Sequence, residues 1–326
     1  MAHSGKNMTC PCGSGKMYQE CCGFHEILHE GDCHTINESE LKQNLQSAID
    51  HIVKIENDRP MDDFCGLSSF DMSQLLYRPF SSQYLVEFNT NLKEIPPSPF
   101  FKLFYKLFNA CNENGLKLTA KGNLPRIFCR ECALNYFTRE EFDEKTLCRL
   151  ITTEPDFDEL HTTHIIARMS GYVRKYKGKL LLTKEGERIF INGISGKDFF
   201  NLFKNYAIKF NWGYRDRYPD INIIQMSFLF TIFLLHRYGD VYRSPVFYED
   251  RFLRAFPSAL QEVPEDPIFP AEKELKRCYS LRMMERFAWF FGLADFNILE
   301  KKYFFKKYEL KKTPFLDEFV KFYNDM

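Results

Sequence analysis

Tyr172-Val-Arg-Lys-Tyr-Lys-Gly-Lys-Leu-Leu-Leu-Thr183 is the stretch on which the reading of the central fold turns. Two short extended runs, 172–175 and 179–183, flank Tyr176-Lys-Gly178, and a glycine between strand-like runs marks a tight hairpin. Thr183 follows at a place where its hydroxyl can cap a helix. Working back toward the N-terminus, apolar spacing predicts helices over 157–169, 124–137 and 100–112 and a strand over 116–119. A helical insertion over 138–156 interrupts the series. Leu116-Lys-Leu-Thr-Ala-Lys-Gly122 repeats the phrase Leu180-Leu-Leu-Thr-Lys-Glu-Gly186, so Thr119 is read as a second cap.

Helix, strand, helix, helix, strand, turn, strand resembles the winged-helix order, and residues 98–192 are read as a winged-helix-like domain. Such a domain that bound DNA would lay its third helix in the major groove and its hairpin against phosphates. The hairpin is basic, with Arg174, Lys175, Lys177 and Lys179, and Arg168 stands near the end of the third helix. That helix offers no bidentate Asn or Gln. Asp156, Asp158 and Glu159 at its start suit the helix dipole but repel phosphates. A charged hairpin is more often simply solvated.

Around this centre the chain reads as mainly α with small β-hairpins, an α+β class. Residues 25–97 form a helical and loop-rich connector: a surface helix over 38–55 (Leu41, Leu45, Ile49, Ile52), a short helix over 73–77 and a strand over 84–88, broken by prolines. Residues 193–326 form a helical domain, with helices over 198–210, 221–237 and 272–291. A strand at 292–296, a returning strand at 303–310 and a last helix capped by Thr313 then close a second winged-helix-like unit. Met226 to Leu235 is apolar for ten residues, against the roughly 20 a bilayer requires, so it is read as a core helix.

The densest chemistry lies at the other end. Cys10-Pro-Cys-Gly-Ser-Gly-Lys-Met-Tyr-Gln-Glu-Cys-Cys22 spaces four thiols as C-x-C-x8-C-C around a glycine turn. Structural zinc takes four thiolate or imidazole ligands at tetrahedral corners, so two short jaws must converge on one ion. Cys10 and Cys12 form one jaw, because side chains two apart on extended backbone share a face. Cys21 and Cys22 form the other, and Gly13 and Gly15 let the chain reverse between them. Disulfides and an iron–sulfur cluster are the competing uses of four thiols, and His25 could replace Cys22. The first residues, Met-Ala-His-Ser-Gly-Lys, contain no apolar export segment.

These residues resemble the SEC-C motif, a small zinc module found at the C-terminal tail of the SecA translocation ATPase and in many bacterial proteins. The motif's C-x-C, glycine-serine-glycine turn, lysine, aromatic and C-C are all matched within residues 1–24. The resemblance implies Zn²⁺ bound by Cys10, Cys12, Cys21 and Cys22, and a docking surface for a protein partner. Here the module leads the chain, whereas in the translocase it ends it, so the partner's identity does not carry over.

Composition narrows the rest. Lys plus Arg equals Asp plus Glu at 44 each in 326 residues, so no global field recruits nucleic acid or anionic lipid. Cys129-Arg-Glu-Cys132 lies inside a helix without a second ligand pair and reads as two buried thiols. His161 and His164 lack further ligands, and Gly13-Ser-Gly-Lys16 lacks the full phosphate-loop frame. No catalytic residue is nominated. The expectation is a non-enzymatic adaptor of the bacterial cytoplasm, and the alternative is a nucleic-acid-binding regulator that uses the basic hairpin.

Overall fold

Ser98 ends an extended approach and its hydroxyl accepts from the Phe101 amide, while Pro99 occupies the first turn, where its missing N–H costs nothing. The helix that follows, Pro-Phe-Phe-Lys-Leu-Phe-Tyr-Lys-Leu-Phe, buries Phe100, Phe101, Leu103, Phe104, Leu107 and Phe108 and packs its rings against Phe199, Phe290 and Phe291. A computed structural model describes residues 9, 14–17, 38–112, 114–148, 150–214, 216–302 and 305–323, without the side chains of 38, 40, 41, 148, 302 and 305. The chain divides into two compact units, Met1–Asn57 and Asp58–Met326.

In the first unit Thr9 and Met17 form an antiparallel bridge, and Gly15 between them has φ 73°. Helix α1, Glu38–Asp58, is exposed at every described side chain. It runs three residues past the expected end and stops before Pro60, since the residue preceding a proline is driven out of helical geometry.

The second unit begins with α2, Ser69–Tyr77, longer than the sequence suggested because Ser68 and Asp71 form a reciprocal capping box. Strand β1, Val86–Phe88, leads to α3, Pro99–Cys111. Then come β2, Leu116–Lys117; α4, Arg126–Tyr136; α5, Arg139–Cys148; α6, Asp158–Met169; β3, Val173–Tyr176; β4, Lys179–Leu182; and α7, Lys184–Asn192. β2, β4 and β3 form one antiparallel sheet with β4 in the centre. The hairpin turns at Lys177 and Gly178 with φ 44° and 73°, the positive pair that a two-residue primed turn requires. Thr183 caps α7 by accepting from Gly186 N. A Cβ on Gly186 would lie 2.1 Å from the Tyr172 carbonyl oxygen, so only glycine lets α7 approach this hairpin so closely. Thr119 does not cap a helix; its hydroxyl accepts from Asn123 N and closes a turn, because α4 starts only after Pro125.

The remainder adds α8, Gly196–Ile208; α9, Asn222–Met226; α10, Phe228–Tyr238; α11, Pro245–Ala255; and α12, Ala271–Tyr279. The expected single helix over 272–291 changes character: α12 passes into a π-helical segment, Ser280–Trp289, whose wider turn is rare and often marks a functional place. β5, Ala294–Lys302, pairs with β6, Phe305–Lys312, and α13, Pro314–Phe319, leads into β7, Val320–Phe322. Thr313 does not cap α13. Its hydroxyl donates instead to Gly292 O at 2.7 Å and fastens the base of the hairpin. β7 pairs antiparallel with β1, so the stretch read as a connector is built into the core through Leu67, Leu75, Leu85 and Val86. α10 is the apolar run that was read as a core helix. Residues Phe228–Leu235 are buried, and among the described residues no helix is long and apolar enough to cross a membrane.

Candidate functional site

Strand alternation decides which hairpin residues reach outward. Val173 and Lys175 share the face of Leu180 and Leu182, the side turned to the core, while Arg174 and Tyr176 lie on the other. Lys175 therefore folds back, and its ammonium donates to Gly122 O. Burial, then the neighbouring Arg168 charge, pushes its pKa down. Lys179 donates to Asn114 O at 2.9 Å. Two of the five cations nominated from sequence are thus spent pinning the hairpin to adjacent turns.

All five cations are exposed, but the other three are not part of these two ties. Arg168 ends α6, and Arg174 and Lys177 flank the Tyr176 ring, at 5.2 and 5.3 Å from its centre. Such contacts hold a cation over an aromatic face without removing it from water. Tyr176 was not nominated from sequence, although alternation with Arg174 could have identified it.

α6 itself offers little surface. Every residue from Asp158 to Ala167 is buried or half-buried, and only Arg168 and Met169 at its end are exposed. Asp158 faces Arg286 at 3.5 Å and Glu159 binds Lys145 at 2.7 Å, so two of the three acidic residues at its start are paired within the chain. A cavity of about 250 Å³ lies beside it, lined by Lys145, Glu159, Thr162, Glu285, Arg286 and Trp289.

Beneath α6 sits a buried anchor that the sequence did not reveal. Glu154 Oε1 lies 2.7 Å from Nδ1 of both His161 and His164, and Oε2 accepts from Leu124 N at 2.5 Å. A carboxylate only accepts, so both rings carry a proton on Nδ1. Burial alone would raise the Glu154 pKa, but the bonds from His161 and His164 hold it at about 2. A carboxyl depressed in the folded state stabilises the fold above its unfolded pKa, and that stabilisation disappears as pH falls through the folded value. Glu154 should therefore contribute at most about 3 kcal/mol at neutral pH, lost between pH about 4.5 and about 2. Chemical denaturation across that range should show a steep acid limb that Glu154→Gln flattens. Equal limbs in the two proteins would remove this role.

The histidine pair is thus a structural one. Cys129 and Cys132 are buried, and burial pushes both thiols up to about 12, far from the thiolate that redox or metal chemistry requires. Among the described residues no group of three or more His, Cys, Asp or Glu side chains is placed to hold a metal ion.

The four cysteines nominated as zinc ligands, Cys10, Cys12, Cys21 and Cys22, lie outside the described residues. What is described next to them is the antiparallel Thr9–Met17 bridge.

Residues 7–24 match the SEC-C motif, which in general is of a zinc-binding type, and residues 97–194 match the family described as Y4jL N-terminal domain. The second match runs from just before α3 to just after α7. Comparisons with curated proteins and with solved structures find no match.

Proposed function

We propose that this chain is a non-enzymatic zinc adaptor of the bacterial cytoplasm. Cys10, Cys12, Cys21 and Cys22 hold one Zn²⁺, and the resulting knuckle docks a protein partner while the α+β body serves as scaffold. The SEC-C match over residues 7–24 carries this reading, since it contains all four thiols. Four thiolates suit a closed structural site, in which the metal supplies folding energy and no open position for chemistry.

Elemental analysis should find one zinc per chain, and strong chelators should release it without melting the helices, because the buried apolar residues among the described ones all lie between Leu67 and Phe322. Cys10→Ser/Cys12→Ser should lose both the metal and the partner in a pull-down from native extract. Identical partner lists for the two proteins would overturn the adaptor reading.

A second reading has its own support. The element order from α3 to β4, with the central strand arriving last, fits a winged-helix-like unit, and Arg174, Tyr176 and Lys177 form an exposed basic tip. With α6 covered, such a tip would contact phosphates and read no bases. Affinity for duplex DNA should then fall with salt, and Arg174→Glu/Lys177→Glu should reduce the logarithmic salt slope by about 2. Absence of binding at low salt would eliminate this reading.

A further inference from the structure

Helix α1 repeats its apolar residues in steps of four and three: Leu41, Leu45, Ala48, Ile52 and Ile55. This is the spacing of positions a and d in a coiled-coil seam, with Ile49 at the flanking e position. A seam of this kind is normally covered, yet Leu45, Ile49, Ile52 and Ile55 are each between 45 and 61 % exposed. At 21 residues the helix is about 30 Å long, enough for nearly three heptads. Alone in water a helix of this length and composition is marginal, so a packed partner is what would stabilise it.

We infer that α1 is a self-association surface, and that two copies of this chain pair through it in antiparallel orientation.

Three features of the helix select a second copy, and this orientation. In an antiparallel pair, a positions meet d positions, and e residues meet e residues from opposite ends. Leu45 of one copy then lies against Ile55 of the other, and the small Ala48 lies against Ile52. A parallel pair would set Ala48 against Ala48 and leave a gap in the middle of the seam. The flanks agree. Lys42 meets Glu56 of the other copy at both ends, and Ile49 meets Ile49 at the two-fold axis, which extends the apolar contact at its centre. One surface is thereby complementary to itself, as a two-fold interface demands.

The test is sedimentation equilibrium on the full chain with zinc supplied, at micromolar concentrations. The native chain should sediment as a dimer. Ile52→Asp removes an apolar residue from each copy and buries a charge, so it should raise the dissociation constant by about 100-fold or more. Lys42→Glu and Glu56→Lys should each weaken the dimer, and the double exchange should restore it. In a parallel pair these residues never meet, and the double exchange would rescue nothing. Circular dichroism of each variant verifies that the body remains folded. Association should persist in Cys10→Ser/Cys12→Ser, which separates this inference from the adaptor reading. A monomeric native chain, a dimer indifferent to Ile52→Asp, absence of charge-exchange rescue, or a dimer lost with the cysteines would each overturn it.

Discussion

Replacing Arg282 with Met should cost the fold about 3–5 kcal/mol, the typical penalty for removing one partner of a buried ion pair. Arg282 rises from the π-helical segment, and its Nε and Nη2 donate to the two oxygens of Asp216 at 2.6 and 3.1 Å, while Nη2 also donates to Pro219 O at 2.9 Å. The Asp216 side chain is 0 % exposed and that of Arg282 3 %. In the variant, among the described residues, the carboxylate keeps the Tyr218 amide at 3.0 Å. Most of the loss is therefore the cost of an uncompensated charge and not the worth of the pair. It follows that Asp216→Leu/Arg282→Met should recover much of the stability the single variant loses. Urea denaturation of the four proteins checks this as a double-mutant cycle. A double variant as unstable as Arg282→Met would show that the pair's geometry, and not charge burial, sets the cost.

Phe203→Ala should be comparably severe, about 3–5 kcal/mol, by the usual cost of emptying a large core site. Phe203 is fully buried on α8, and its ring packs against Phe88 of β1, Phe228 of α10, Phe287 of the π-helical segment, Phe291, and Phe319 at the end of α13. These neighbours come from both ends of the second unit, so the cavity would open where the terminal strands β1 and β7 are held against the helices. Phe203→Leu keeps most of the volume and should cost less than about 1.5 kcal/mol. Thermal denaturation should rank native, Leu and Ala variants in that order. Near-equal stabilities of the Leu and Ala variants would mean that the site collapses around the deletion.

The elements between α3 and β4 were legible because their causes are local. Gly178 marks the turn, Thr183 supplies a cap that the fold uses, and the apolar period of 100–112 is that of a helix buried on one side and more. The same local logic failed at Thr313 and Thr119. A threonine before a helix can cap it, but nothing local reveals that the Gly292 carbonyl stands closer to the Thr313 hydroxyl than the α13 amides do. How the stretch read as a connector, 25–97, contributes to the core could not be read locally for a related reason. β1 is three residues long and has no stability by itself; it exists because β7, more than two hundred residues away, supplies its hydrogen bonds.

The candidate surfaces divide in the same manner. The thiol spacing at Cys10–Cys22 and the positive charge of the 174–179 hairpin are properties of adjacent residues and can be read from the amino-acid order alone. Which cations are tied to the fold depends on packing: Lys175 and Lys179, though exposed, reach carbonyls at Gly122 and Asn114, and α6 is buried or half-buried from Asp158 to Ala167. The sequence by itself therefore determined the α+β class, the run of elements through the central domain and the SEC-C thiol pattern, since each follows from spacing within a turn or two. The tertiary structure alone decided that Glu154 gathers two histidines and a backbone amide, that Asp216 finds Arg282, and that α6 is buried or half-buried from Asp158 to Ala167. Those outcomes depend on distant segments competing for the same buried volume and the same hydrogen bonds, which no local pattern encodes.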